Sequence, residues 1–124
     1  MKGLLMLTLA DFFAQQKAEN PAGIEVLIVD TNGCLEHLSE EFQNNDIVHE
    51  YATEPREIKN LLTSLYEDAI AEMDKARKLR RKVFLYVSSA AINKTMDEQV
   101  TKILAELNTI GPKSNINVAN YLNQ

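Results

Sequence analysis

Residues 24–30 read Ile-Glu-Val-Leu-Ile-Val-Asp, and Thr31, Asn32 and Gly33 follow. A short apolar run with almost no polar interruption is the mark of a strand buried on both faces. Such a strand needs a layer on each side, which points to a parallel sheet between helices. The residues at its end have turn chemistry: Asn and Gly tolerate positive φ, and Asp bonds nearby backbone N–H groups. A parallel strand that delivers polar residues at its C-terminal end is the usual place for an α/β binding site.

The remainder alternates in the same sense. Residues 4–17 carry Leu5, Leu9, Phe12, Phe13 and Gln16 in helical spacing, and Leu4, Met6 and Leu7 add apolar cover elsewhere. This predicts a helix buried over much of its circumference, although residues 3–9 also read as a short strand. Breakers at Asn20, Pro21 and Gly23 close the element. Residues 35–42 form an amphipathic helix with Leu35, Leu38 and Phe42 on one side, and residues 47–51 a second, shorter strand. Pro55, with Glu54 and Glu57 around the first turn, opens the longest helix. Apolar spacing from Ile58 to Leu79 carries it to about residue 80. Residues 83–87 are a third strand, ending in Ser88 and Ser89. The capping box Thr95-x-x-Glu98 opens a helix with Met96, Val100, Ile103, Leu104 and Leu107 inward, and Gly111-Pro112 stops it. Residues 116–118 are a fourth strand, and the rest is tail. The order predicts a single α/β domain over residues 1–124. Its architecture is three-layer α/β/α, with a mainly parallel sheet of four or five strands and right-handed crossovers.

Composition narrows the function classes. The 124 residues are 45% hydrophobic and 25% charged, as expected of a soluble globular chain with a workable core. A net charge of −5 argues against nucleic acid as a partner. The single cysteine, Cys34, excludes an intrachain disulfide and a thiolate metal cluster. The N-terminal apolar run is short and lacks a signal-peptide cleavage site. No run approaches the ~18 apolar residues that span a membrane. A cytoplasmic protein without membrane insertion is expected. Asn93-Lys94-Thr95 fits a glycosylation sequon, but nothing else indicates secretion.

Asp30, Thr31, Asn32, Gly33, Ser88 and Ser89 gather at strand C-termini if the strands are parallel neighbours. They could line a small-ligand or Mg²⁺ crevice; the local account makes them turn and cap residues. His37, on a helix surface, and His49, in a strand, lack Cys or His partners at ligand spacing, so no metal is expected. Cys34 follows a glycine turn near a helix start, but no histidine base is placed beside it. A buried small hydrophobe is the plainer role. Lys75, Arg77, Lys78, Arg80, Arg81 and Lys82 crowd the predicted C-terminal end of the long helix, where cations suit the dipole. They offer a docking patch for an acidic partner or phosphates, or a solvated helix end.

Several segments, in this order, resemble the FtsK/SpoIIIE-type translocase ATPase domain, and most closely the degenerate C-terminal ATPase modules of type VII secretion motors. Residues 2–10, Lys-Gly-Leu-Leu-Met-Leu-Thr-Leu-Ala, are similar to the helix after a phosphate-binding loop. Residues 24–38, with Asp30 to Gly33 and then Leu35 and Leu38, resemble the second strand and its turn. Residues 51–77 resemble the long helix with its acidic first turn. Residues 83–87 fall at the Walker B strand, and residues 104–118 look like the segment leading to the sensor strand. The departures concern catalysis. The strand and glycines before Lys2 are missing from this chain, and Gly3 stands where a Mg²⁺-binding hydroxyl belongs. Ser88 and Ser89 replace the Walker B acid, and residues 120–124 hold no arginine. The resemblance implies a P-loop-like, RecA-like fold without ATPase activity or cofactor. Its implied role is protein interaction or self-association, within or beside a secretion or DNA-translocation motor. Losing an internal strand would leave edges that invite association. The alternative is a small-molecule or nucleotide-binding module that uses the crevice at Asp30 and Ser88.

Overall fold

The apolar run at residues 24–29 forms a central strand because its alternate side chains find hydrophobic layers on both sides. The computed structural model describes residues 8–30, 33–88 and 98–121. Four strands, β1 (Ile24–Val29), β2 (Glu50–Ala52), β3 (Lys82–Ser88) and β4 (Ile116–Tyr121), make one parallel sheet in the order β2-β1-β3-β4. Among the described residues, four helices connect and flank them: α1 (Leu9–Glu19), α2 (Glu36–Asn44), α3 (Pro55–Met73) and α4 (Glu98–Ser114). The predicted three-layer parallel α/β architecture is what the chain adopts.

Alternation along β1 and β3 divides the core. Leu27 and Val29 with Val83, Leu85 and Val87 face α3 and α4, whose Ile58, Leu62, Leu65, Val100, Leu104 and Leu107 complete one cluster. Val26, Ile28 and Phe84 face the opposite layer, built from Phe13 of α1 and from Leu35, Phe42 and Ile47 on and around α2. That smaller cluster is aromatic. Phe13 meets Phe42 and Phe84 edge to face at 5.5 and 5.3 Å, geometries suited to ring quadrupoles.

The first helix begins at Leu9, capped by Thr8, whose Oγ1 accepts the Asp11 N–H at 3.0 Å. It is not buried over much of its circumference. Phe13 is buried and Leu9 and Phe12 half-buried, while Asp11, Ala14, Gln15 and Lys17 face water. The helix covers one side of the sheet, and nothing among the described residues covers its other side. The strand alternative for residues 3–9 and the Thr95 capping box fall largely outside the described residues. So do the phosphate-loop positions Lys2 and Gly3 and the sequon at Asn93.

Helix ends differ most from expectation. The long helix stops at Met73 instead of residue 80. Ala76 takes the left-handed conformation, φ 59°, and Arg77 N–H donates to Glu72 C=O at 2.8 Å while Ala76 N–H reaches Met73 C=O at 2.9 Å. This is a Schellman closure with alanine at the position glycine usually holds, so the chain carries no stop signal there. Leu79 still enters the core, from the loop and not from the helix. The predicted start is correct: Pro55 is at the first position, and Glu54 and Glu57 form a reciprocal capping box. α2 closes in the same way as α3. Asp46, φ 57°, allows Ile47 N–H to reach Phe42 C=O at 2.9 Å. Ile47 and His49 therefore belong to a closing turn, and the second strand is shifted to Glu50–Ala52.

Gly111-Pro112 does not stop α4, which continues to Ser114. Pro112 lies in the last turn, where it removes one helical N–H donor but leaves only two residues to follow before the helix ends. Gly111 is required for a different reason. A β-carbon built there would lie 2.8 Å from the Ile116 carbonyl oxygen, so glycine lets β4 pass directly over the helix end. Asn115, φ 66°, makes the turn, and its Nδ2 donates to the carbonyls of Leu79 and Arg81 at 3.2 and 3.1 Å. β4 then runs to Tyr121, so residues 119–121 are strand and not tail.

Candidate functional site at the strand ends

The register Val29↔Val87 brings the next residues, Asp30 and Ser88, to the same level at the C-terminal ends of neighbouring parallel strands. The chain leaves β1 towards the α2 layer, while α4, which follows β3, lies in the other layer. Divergence of this kind is the switch point at which open α/β sheets place their ligands. The sequence expectation that these two residues meet is met by the topology.

Their polar atoms are used differently. Asp30 is 0% exposed. Its N–H donates to Ala52 C=O at 3.0 Å, which extends the β1–β2 ladder by one residue. Its Oδ2 accepts both the Leu35 N–H and the Tyr51 hydroxyl, each at 2.8 Å. The carboxylate thus fixes the start of α2, where a negative charge meets the positive end of the helix dipole. It also ties β2 to β1. Burial, with the Asp30 carboxylate as its hydrogen-bond acceptor, raises the Tyr51 pKa well above the usual phenol value. Asp30 therefore does the work of a turn and cap residue.

Ser88 is 1% exposed, and its Oγ has no hydrogen-bond partner among the described residues. It pairs in register with Tyr121. Gly33 lies at the surface with φ 81°, the left-handed conformation that glycine adopts without strain. Thr31, Asn32 and Ser89 lie outside the described residues.

Tyr51 and Tyr121 belong to this end of the sheet and were not singled out from the sequence. Tyr51 sits in a strand only three residues long, and Tyr121 lay in the presumed tail. Their relation to Asp30 and Ser88 exists through register alone.

Two other expectations are corrected. Cys34 is exposed, because the Gly33 turn swings it outward and Leu35 occupies the core position. His49 is not in a strand. Its ring lies between Ser39 Oγ and Ile47 C=O, both at 2.8 Å, against the Phe42 ring. His37 is exposed on α2. Among the described residues, no three His, Cys, Asp or Glu side chains are grouped as metal ligands would be.

The basic run does not crowd a helix terminus, since α3 ends before it. Lys75 and Arg77 lie 4.0 and 3.3 Å from Glu72. Arg81 reaches across the sheet edge to Glu25 at 2.7 Å and Asp68 at 3.3 Å. Burial lowers its pKa, but the two carboxylates more than offset this, and the net shift is upward. Lys82 is half-buried in β3, while Lys78 and Arg80 are exposed. Three of the six cations thus answer carboxylates of this chain, and the run is divided among a turn, a loop and a strand.

No helix among the described residues is long and apolar enough to cross a membrane. Neither the protein-family models nor the curated proteins compared with the chain match it.

Proposed function

We propose that this chain is a non-catalytic, ATPase-like assembly module that associates through the edge of β4, which is open among the described residues. The observation that carries this reading is the character of that edge. β4 is six residues long, Ile-Asn-Val-Ala-Asn-Tyr, and is uncharged throughout. Val83 N–H donates to Asn115 C=O. In an evenly spaced parallel ladder, Ile116 and Val118 therefore turn their N–H and C=O groups away from β3. Tyr121, at the strand's end, is 42% exposed. Natural sheets protect edges with short strands, charges or proline. β2, three residues long with Glu50, follows that rule; β4 does not. The occupant we assign is the β4 of a second copy, since no like charges would oppose each other across the pair.

From the sequence resemblance to FtsK/SpoIIIE-type domains, with Ser88 at the Walker B position, we read this role as cytoplasmic and beside a secretion or DNA-translocation motor. Light scattering on a sizing column, over a concentration series, tests the reading. The wild-type chain is expected to dimerise, and Asn120→Pro to remain monomeric, because a proline ring blocks the outer side of β4 while the bonds to β3 are kept. A wild-type monomer at high concentration would overturn the assembly role. Saturable Mg-ATP hydrolysis abolished by Lys2→Ala would overturn the non-catalytic one. The second reading, a small-ligand site between Asp30 and Ser88, draws support from the buried Ser88 hydroxyl that lacks a partner among the described residues.

A further inference from the structure

The other edge of the sheet has the opposite character. β2 spans three residues against six in β1, and its register begins at Leu27↔Glu50. Among the described residues, the N-terminal half of β1 therefore has no strand partner on that side. Beside it, between β2 and α3, runs a groove of about 750 Å³. Leu27, Leu61 and Leu65 supply its apolar lining. Its polar side is set by the spacing of α3, on which Glu57, Asn60, Ser64 and Asp68 fall on one stripe at intervals of three and four residues. That stripe is about 16 Å long at about 1.5 Å per residue, the length of about five residues of extended strand.

The charge of the groove selects its occupant. Glu25, Glu50, Glu57 and Asp68 line it with one cation, Arg81, and Arg81 is held by Glu25 and Asp68. The remaining field is negative, and Glu50 stands at the strand edge itself. Among the described residues no strand pairs with the outer side of β2. Asp30 N–H donates to Ala52 C=O, so residues 50 and 52 face β1, and Tyr51 turns its N–H and C=O outward. Val48, 87% exposed, lies on the same margin.

We propose that this groove binds an extended peptide segment with lysine or arginine at alternate positions, added as a strand alongside β2. Strand periodicity places every second side chain over the groove. Lysine stems would then lie on Leu61 and Leu65 while their ammonium groups reach the carboxylates. The intervening apolar side chains meet the margin near Val48. Self-pairing of two β2 strands is opposed by Glu50, so the same residue that repels a second copy attracts a basic segment.

Fluorescence anisotropy with a labelled octapeptide of alternating valine and lysine, titrated with the full chain, tests this. Saturable binding is expected, weakening as salt rises. Glu50→Gln combined with Asn60→Lys is expected to weaken it about tenfold, since each exposed charge contact contributes up to about fivefold. Two further peptides, N-methylated at the valines or at the lysines, keep the charge, and one of them is expected to lose binding because its edge can no longer pair. Asn120→Pro, at the opposite edge, is expected to leave binding unchanged. Absence of saturable binding, indifference to the double variant, or equal binding of both methylated peptides would overturn the proposal. Loss of binding in Asn120→Pro would move the peptide to β4 and overturn it as well.

Discussion

Asp30 and Ser88 end adjacent strands, yet their polar atoms lie in opposite situations. The Asp30 carboxylate accepts two hydrogen bonds at 2.8 Å in full burial, so its removal strands the Leu35 N–H and the Tyr51 hydroxyl. Asp30→Ala is expected to destabilise the fold by about 3 kcal/mol, from two buried donors left unmet. The Ser88 hydroxyl is buried without a partner among the described residues, and burying such a group costs about 1–3 kcal/mol. Ser88→Ala is expected to be neutral or to stabilise by about 1 kcal/mol. Urea unfolding of both variants checks the pair. A stable Asp30→Ala chain would show that its carboxylate is not structural and would favour the ligand reading of this crevice.

At the scale of elements, the decisive contacts are crossings between helix ends and strands. Gly111 gives α4 its close passage beneath β4, and the site tolerates no β-carbon without a backbone shift. Gly111→Ala gains up to about 1 kcal/mol of helix propensity but forces an overpacked contact that typically costs about 1–3 kcal/mol. A net loss of about 1–2 kcal/mol is therefore expected by thermal or urea unfolding. A gain would mean that β4 moves away freely. The α3–β3 connection is fixed differently, by Asn115 bonding two loop carbonyls and by Arg81 joining β1 to α3. Of the basic residues there, Lys75, Arg77 and Arg81 answer carboxylates of this chain, and Lys78 and Arg80 are exposed.

For the molecule as a whole, the two most perturbed tyrosines predict its response to alkali. Burial and the Asp30 carboxylate raise the Tyr51 pKa, and burial, with Tyr121 nearby, pushes Tyr86 up to about 12. A phenol whose pKa is higher folded than unfolded contributes stability that is complete below about pH 10. That contribution fades as pH rises through the folded value. Unfolding free energy is expected to be flat up to about pH 10 and to fall between about pH 10 and 12. Tyr86→Phe should flatten part of that fall, and an unchanged profile would show that the phenol ionises equally readily in the folded and unfolded chain. The same whole-molecule view separates the two sheet edges. One, β4, is uncharged; the other carries Glu50 beside an acidic groove.

Element order, the parallel sheet and the meeting of Asp30 with Ser88 were determined by the sequence alone. Each follows from a local signal: unbroken apolar runs at residues 24–29 and 83–87, and helical spacing with its own start signal at Pro55. Tertiary structure decided what local signals do not encode. Ala76 adopts a left-handed turn because Leu79 gains burial once it does, and alanine advertises no helix stop, whereas the run Asn44-Asn45-Asp46 that closes α2 is a stop signal in the sequence itself. Gly111-Pro112 looked like a terminator, yet glycine is needed there for the passing strand. Cys34 and Leu35 are neighbours in sequence, and only the Gly33 turn decides which of them enters the core. The use of Asp30 by Tyr51, of Arg81 by Glu25 and Asp68, and the contrast between the two sheet edges all depend on register. Register is set when the layers pack, by contacts between residues far apart in the chain.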